Sequence, residues 1–350
     1  MMRLLPLLLL LAPLAGCQGL FRDKGPYPIS EAERENSAAY VDIAAQEIEE
    51  GKLSRALDRL VAVRDIENLP PEVRLRSEEL IDRCASLLLA RSEGDLDDLD
   101  DLWQMELSPR MRARAGVRYA ERLYEEGHRV DAFKQVRDLE NELPNHSEGA
   151  RAGEVLARTG LDLIRDPGRY WVILRYRTRG IAALEYLVLT YPLDPTCPEA
   201  YAALARAYEE SEDLDYAIDR HEYLLLYHPS SPQAVVSEAT IPRLRLDQLD
   251  GDDFDRGELI RAQGEIESWL ARHGGHELYP EVDATLLRCR RMLADNDLYL
   301  SRYYRRIGND FGARVHAERA LVEAGSAGAQ DREEQAQRLL DALPPAEEAP

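Results

Sequence analysis

The stretch 198–231 constrains the fold more than any other part of this chain. Tyr201, Leu204, Ala205 and Tyr208 are followed by Ala217, His221 and Pro229. Tyr201, Leu204 and Tyr208 stand at i, i+3 and i+7, so they share one face of a helix. Ala205 and Ala217 are small enough to let two antiparallel helices approach closely. Pro229 lacks an N–H and clashes with the preceding turn, so it closes the second helix. The segment is a helical hairpin, and a lone hairpin cannot bury its apolar face.

This spacing is that of the tetratricopeptide repeat (TPR), about 34 residues long, with His221 where an aromatic residue usually stands. Weaker copies flank it. Tyr119, Ala120, Leu123 and Gly127 precede Ala132, Val136, Leu139 and Pro144; Tyr40, Ile43, Ala44 and Gly51 precede Ala56, Leu60, Val63 and Pro70. Residues 180–191 and 260–271 read as second helices, closed by Pro192 and by His273-Gly274-Gly275. Tyr303, Tyr304, Gly308, Ala313, Ala317 and Ala320 make a further hairpin that stops at Gly325. Between 75 and 102, Leu80, Leu87 and Leu88 are helical in spacing, but the turn is ambiguous. No segment reads convincingly as a strand. The chain is therefore expected to be all-α, a TPR-type α-solenoid of about six or seven helical hairpins sharing one core.

The opening residues carry a different signal. Arg3 precedes an apolar run over 4–14, and Leu14-Ala15-Gly16-Cys17 follows. A positive start, a short apolar core and small residues before a cut site make a secretory signal peptide. The run is shorter than the roughly 20 residues needed to span a bilayer. Leu-Ala-Gly-Cys resembles the lipobox of bacterial lipoproteins. That resemblance implies a leader over 1–16, lipidation of Cys17 with acyl chains such as palmitate, and a mature chain beginning there. Two or more acyl chains anchor a protein stably. In many Gram-negative lineages Asp after the cysteine favours the inner membrane. Gln18 stands here, so the expected location is the outer membrane, on its periplasmic face. Residues 17–35 include Gly25-Pro26-Tyr27-Pro28 and read as a flexible tether. Beyond it, 36–160 reads as N-terminal TPR-like hairpins and 161–325 as a C-terminal TPR array. Residues 326–350 read as a capping helix over 331–343 followed by an acidic, disordered tail.

Charge narrows the partners. A formal balance of −22, from 44 Lys and Arg against 66 Asp and Glu, argues against nucleic acid and against docking on anionic lipid heads. Contact with the membrane is expected through the lipid anchor only. After Cys17 the cysteines are Cys84, Cys197 and Cys289. An odd number without a CxxC motif is a poor disulfide framework, and Cys84 and Cys289 sit in helical patterns as small hydrophobes. A single bridge between two of the three stays open in an oxidising compartment.

No catalytic constellation emerges, and no cofactor or metal is expected. His273 and His276 flank a Gly-Gly turn without an HExxH helix, and His221 and His228 lack a third ligand nearby; both pairs read as loop or packing residues. GxSxG, Walker and GxGxxG motifs are absent. The acidic runs 95–101 and 250–253 lack the EF-hand ligand order and read as solvated loops. Arginine–tyrosine clusters are the candidate partner-binding residues: Arg175, Arg177 and Arg179 around Tyr176, and Tyr304, Arg305 and Arg306 beside Tyr303. Arg288, Arg290 and Arg291 form a third. Arginine pairs bidentately with carboxylates and is enriched at interface hot spots with tyrosine. The competing reading is pairing with the chain's own acids.

Over 180–322 the chain resembles the BamD family of outer-membrane β-barrel assembly lipoproteins. The resemblance rests on Ala182, Glu185, Tyr186, Leu187 and Tyr191-Pro192, then on Tyr227-His228-Pro229. It continues through Leu259, Ala262, Trp269 and Ala271 to Leu293-Ala294, Tyr303-Tyr304, Ala313 and Ala317. Gly274-Gly275 and Gly325 replace the expected Tyr-Pro closures, and the N-terminal half matches only as generic hairpins. The resemblance implies a non-enzymatic periplasmic scaffold bound to a central outer-membrane assembly barrel and to other assembly lipoproteins. A generic TPR scaffold lipoprotein serving secretion, pilus assembly or envelope maintenance is the alternative.

Overall fold

Five helices among the described residues end in the same way, with a backbone closure that turns the next helix back. The computed structural model describes residues 36–91, 95–166, 168, 175–249 and 256–344. Cys17, the leader, the tether and the acidic run 250–253 lie outside them. The described residues contain fifteen helices and no strand, the all-α array of hairpins that the repeats imply. No helix among them is long and apolar enough to cross a membrane. The chain divides into two compact units, Met1–Ala115 and Gly116–Pro350.

The first unit holds α1 (Ser37–Glu49), α2 (Leu53–Arg64), α3 (Pro71–Ala90), α4 (Leu96–Gln104) and the start of α5 (Pro109–Glu125). Val41, Ala44 and Ile48 of α1 share a core with Leu57, Leu60 and Val63 of α2 and with Ile81, Cys84 and Ala85 of α3. Ile43, which the pattern groups with Tyr40 and Ala44, faces solvent instead. A buried ion pair also ties α1 to α2: Arg59 Nε and Nη2 donate to Glu47 at 3.1 and 3.3 Å. The guanidinium lies over the Tyr40 ring, 5.4 Å from its centroid. The acidic run 95–101 is not a solvated loop. It belongs mostly to α4, where Asp97 and Asp98 occupy the first turn and Leu99, Leu102 and Trp103 are buried. Acids in a first turn complement the helix dipole, and the apolar residues at i, i+3 and i+4 supply the buried face.

The second unit continues with α6 (Arg129–Glu142), α7 (Gly149–Arg165), α8 (Tyr176–Thr190), α9 (Cys197–Glu209) and α10 (Leu214–Tyr227). It ends with α11 (Pro232–Asp247), α12 (Arg256–Arg272), α13 (Tyr279–Arg306), α14 (Asp310–Ser326) and α15 (Gln330–Asp341). Position 160/161 lies inside α7, which packs along α8. Asp331 to Leu343, expected as a cap, supplies α15, whose Arg332 holds Asp295 of α13 at 3.1 Å. One departure from sequence rules is Pro242, which lies within α11 without ending it.

Five turns close identically, each with an N–H reaching a carbonyl five residues back. These are Lys52 to Glu47 (2.8 Å), His128 to Leu123 (2.8 Å), Asp213 to Tyr208 (3.0 Å), Asn309 to Tyr304 (2.9 Å) and Ala329 to Ala324 (2.9 Å). The closure puts the intervening residue in the left-handed region. Gly51, Gly127, Gly308 and Gly328 fill four of these positions, and Glu212, at φ 61°, fills the fifth. The returning joints use another device. Leu143, Tyr191 and His228, at φ −132°, −130° and −135°, each precede a proline and end a helix. The following helix is then pinned by a side chain. His146 Nδ1 accepts from the Glu148 N–H at 3.1 Å, Asp194 from Thr196 at 2.9 Å and Ser231 Oγ from Ala234 at 3.2 Å, and after the Gly274-Gly275 joint His276 Nδ1 accepts from Leu278 at 3.1 Å.

Candidate functional site

The residues that spell the repeat are packing residues. Tyr201, Leu204, Ala205 and Ala217 are buried. Tyr208 is half-buried; its hydroxyl donates to Glu185 at 2.9 Å and its ring stacks on Tyr216. Burial pushes the Tyr201 and Tyr208 phenols up to about 12. Pro229 sits in the exposed joint just after α10. His221 occupies the usual aromatic position as a buried ring whose Nδ1 is 2.8 Å from Ser237 Oγ on α11. Desolvation, and then the nearby Arg243 charge, push it down to about 4. His228 Nε2 meets the Pro192 carbonyl at 2.8 Å. His273 and His276 both pack on Trp269, with ring centroids 4.9 and 5.4 Å away. Each of these four histidines therefore has a packing or hydrogen-bonding task.

The three remaining cysteines are buried free thiols. Cys84 Sγ lies 3.1 Å from the Leu53 carbonyl, Cys197 Sγ 3.1 Å from that of Tyr191, and Cys289 Sγ 3.3 Å from that of Leu259.

The structure separates the arginine clusters into paired and open members. Arg177 joins α8 to α9, at 2.6 Å from Glu210 Oε2 and 3.2 Å from the Ala207 carbonyl. Arg179 is half-buried and takes part in interactions of its own, whereas Arg175 is exposed at the entry to α8. Arg288 pairs with Asp247, and Arg290 with Glu267 at 2.9 Å. Tyr304 is half-buried against His316. Arg305 and Arg306 differ from these. They end α13 exposed to solvent, with no ion pair among the described residues. The dipole of α13 favours cations at that end, but it fixes no partner. Beside them stand Tyr303, Ile307 and Phe311, exposed by 45%, 56% and 79%. Two open guanidiniums next to exposed apolar side chains can hold a carboxylate together with an apolar anchor. Ile307 and Phe311 carry no sequence signal of their own; they stand on either side of the turn at Gly308.

Two clefts open among the described residues. In the first unit, one of about 790 Å³ lies between the α2 end and α3, beside Glu106 and Ser108. In the second, one of about 300 Å³ lies between α7 and α9 and includes Arg165, Arg177 and Arg206. No protein-family model matches this chain, and no curated protein matches its sequence.

Proposed function

We propose that this chain is a periplasm-facing lipoprotein scaffold of the outer-membrane β-barrel assembly machinery, anchored through Cys17 and binding partner proteins through its stacked hairpins. The observation that carries partner binding is the pair of open guanidiniums, Arg305 and Arg306, beside Tyr303, Ile307 and Phe311. A chain so rich in acids gives most of its other arginines a carboxylate partner, as with Arg177, Arg243, Arg245, Arg288 and Arg332. Assignment to barrel assembly rests on the resemblance over 180–322, and outer-membrane anchoring on the lipobox and Gln18. No enzymatic step is assigned.

The test is a detergent-solubilised pull-down of the full-length lipidated protein, with partners identified by mass spectrometry. Recovery of a large outer-membrane barrel with periplasmic repeat domains, reduced by the double variant Arg305→Glu/Arg306→Glu, is the expected result. Recovery of secretion or pilus components without such a barrel would replace the assembly reading with a scaffold for those systems. In parallel, Cys17→Ser should move the protein from the membrane fraction to the soluble periplasm. Retention in the membrane would remove the lipid anchor from the reading.

A further inference from the structure

The cleft between α7 and α9 gathers three arginines from three helices, Arg165 at the end of α7, Arg177 at the start of α8 and Arg206 in the last turn of α9, against two glutamates, Glu199 and Glu210. Their states differ. Arg177 is fixed by Glu210 and the Ala207 carbonyl. Arg165 pairs with Glu199 at 3.2 Å, with both side chains more than half exposed (67% and 58%). Exposed pairs of this kind are weak, so a competing carboxylate can displace Glu199. Arg206 is exposed and has no ion-pair or hydrogen-bond partner for its guanidinium among the described residues.

The floor is as telling as the charge. Ala202, Ala203 and Ala207 of α9 lie along it. Small residues there let a chain segment come close to the helix, where a larger side chain would fill the space. From the start of α11, Gln233 brings an amide without a partner of its own among the described residues, a group with both donor and acceptor capacity for a peptide main chain. A volume of about 300 Å³ is at the small end for ligand pockets.

We propose that this cleft binds an extended acidic segment of a partner protein, whose carboxylates are held by Arg206 and by an Arg165 released from Glu199. An anionic bilayer fits less well, because these arginines line a cleft of about 300 Å³ between two helices, which a chain segment can enter and a lipid surface cannot. The inference rests on the reading of the chain as a protein-binding scaffold. It concerns a different surface from that around Arg305.

The experiment uses the full-length protein in detergent and a fluorescein-labelled peptide alternating glutamate with alanine, read by fluorescence anisotropy. The counterpart peptide carries glutamine in place of glutamate. Expected are saturable binding of the glutamate peptide, binding of the glutamine peptide weaker by about tenfold or more, and a similar loss for Arg206→Gln with unchanged helical circular dichroism. Ala203→Trp, which fills the floor, should also abolish binding, and Arg305→Glu/Arg306→Glu should leave it intact. Absence of saturable binding, equal binding of the two peptides, or indifference to Arg206→Gln would overturn the proposal. So would displacement of the peptide by an equal concentration of short-chain anionic phospholipid, which would assign the cleft to lipid headgroups. Because the assay contains no assembly barrel, its outcome is separate from that of the pull-down.

Discussion

The rings of Tyr304 and His316 lie parallel, with centroids 5.4 Å apart and planes 7° from each other. Beneath them His316 Nδ1 is 2.7 Å from Asp297 Oδ1, and Arg256 Nη2 is 3.1 Å from Oδ2 of the same fully buried carboxylate. Tyr304 thus covers a charge network that joins α12, α13 and α14, while Arg305 and Arg306 project from the same turn into solvent. Neighbours in sequence, these residues have separable roles. Tyr304→Ala should cost about 2 kcal/mol through lost ring contact, seen as a lower urea midpoint. Arg305→Glu/Arg306→Glu should cost less, about 1 kcal/mol from the lost helix-dipole interaction, and weaken partner recovery. An unchanged midpoint for Tyr304→Ala would make Tyr304 a surface residue after all.

Glu212 is the one non-glycine at the five equivalent turn positions, with φ 61°. The left-handed region costs an L-residue about 1–2 kcal/mol, partly offset by the greater freedom of glycine in the unfolded chain. Glu212→Gly should therefore raise stability by about 0.5–1 kcal/mol, measured as a higher urea midpoint at constant m-value. A lower midpoint would mean that the glutamate side chain contributes more than its backbone strain costs.

Two helical glycines should respond to alanine in opposite directions. A Cβ on Gly180 would lie 2.5 Å from the Ile164 nitrogen and 2.7 Å from the Gly160 carbonyl, so α7 and α8 would have to separate. The expected loss for Gly180→Ala is about 1–3 kcal/mol. Around Gly264 in α12 there is open space, and Gly264→Ala should gain about 0.5–1 kcal/mol of helix propensity. Thermal melts of the two variants should move to opposite sides of the parent.

His221 makes stability depend on pH. Its folded value near 4 lies below the ordinary 6.5, so between these values the unfolded chain binds the extra proton. Its contribution is complete above about pH 6.5 and is lost as pH falls toward 4, by about 3 kcal/mol in total. His221→Gln removes the titration while keeping a group able to bond Ser237. The variant should show a flatter fall in unfolding free energy across that window, and an identical pH slope would disprove the assignment.

Burial pushes Cys84 up to about 11, and Cys197 and Cys289 up to about 12, with Asp194 adding to the shift at Cys197 and Glu323 and Glu267 at Cys289. At pH 8 none of the three should react with an aromatic disulfide reagent in the folded protein, because the thiolate is the reactive species. In denaturant all three should react. Rapid labelling of the native protein would show local opening around the helix concerned.

Hairpins with a glycine at the turn were legible in the sequence: Gly51, Gly127 and Gly308 each mark a closure that the structure contains. Glu212 was not, since nothing in its chemistry announces a left-handed backbone. The acidic run in α4 misled for a related reason. Its aspartates resemble a loop, but Leu99, Leu102 and Trp103 bury one face and the helix dipole accepts the acids. For the candidate sites the limit was pairing across the fold. Arg177 meets Glu210 and Arg288 meets Asp247 over long sequence separations, so no local pattern distinguishes them from Arg206 or Arg305. The cleft between α7 and α9 likewise depends on alanines that read only as good helix formers.

Helices in the second unit pack chiefly on those next to them in sequence, with Arg332 of α15 reaching Asp295 of α13 as one of the longer links. Most contacts therefore close short loops, and the ordering entropy is met a little at a time. Such a chain folds quickly for its size and can open from one end while the remainder stays native. Protection of amides from hydrogen exchange should decline toward α15, where Ala336 is the buried residue of the helix. Loss of order there need not reach the α7–α9 cleft, which leaves the two candidate binding surfaces free to act independently.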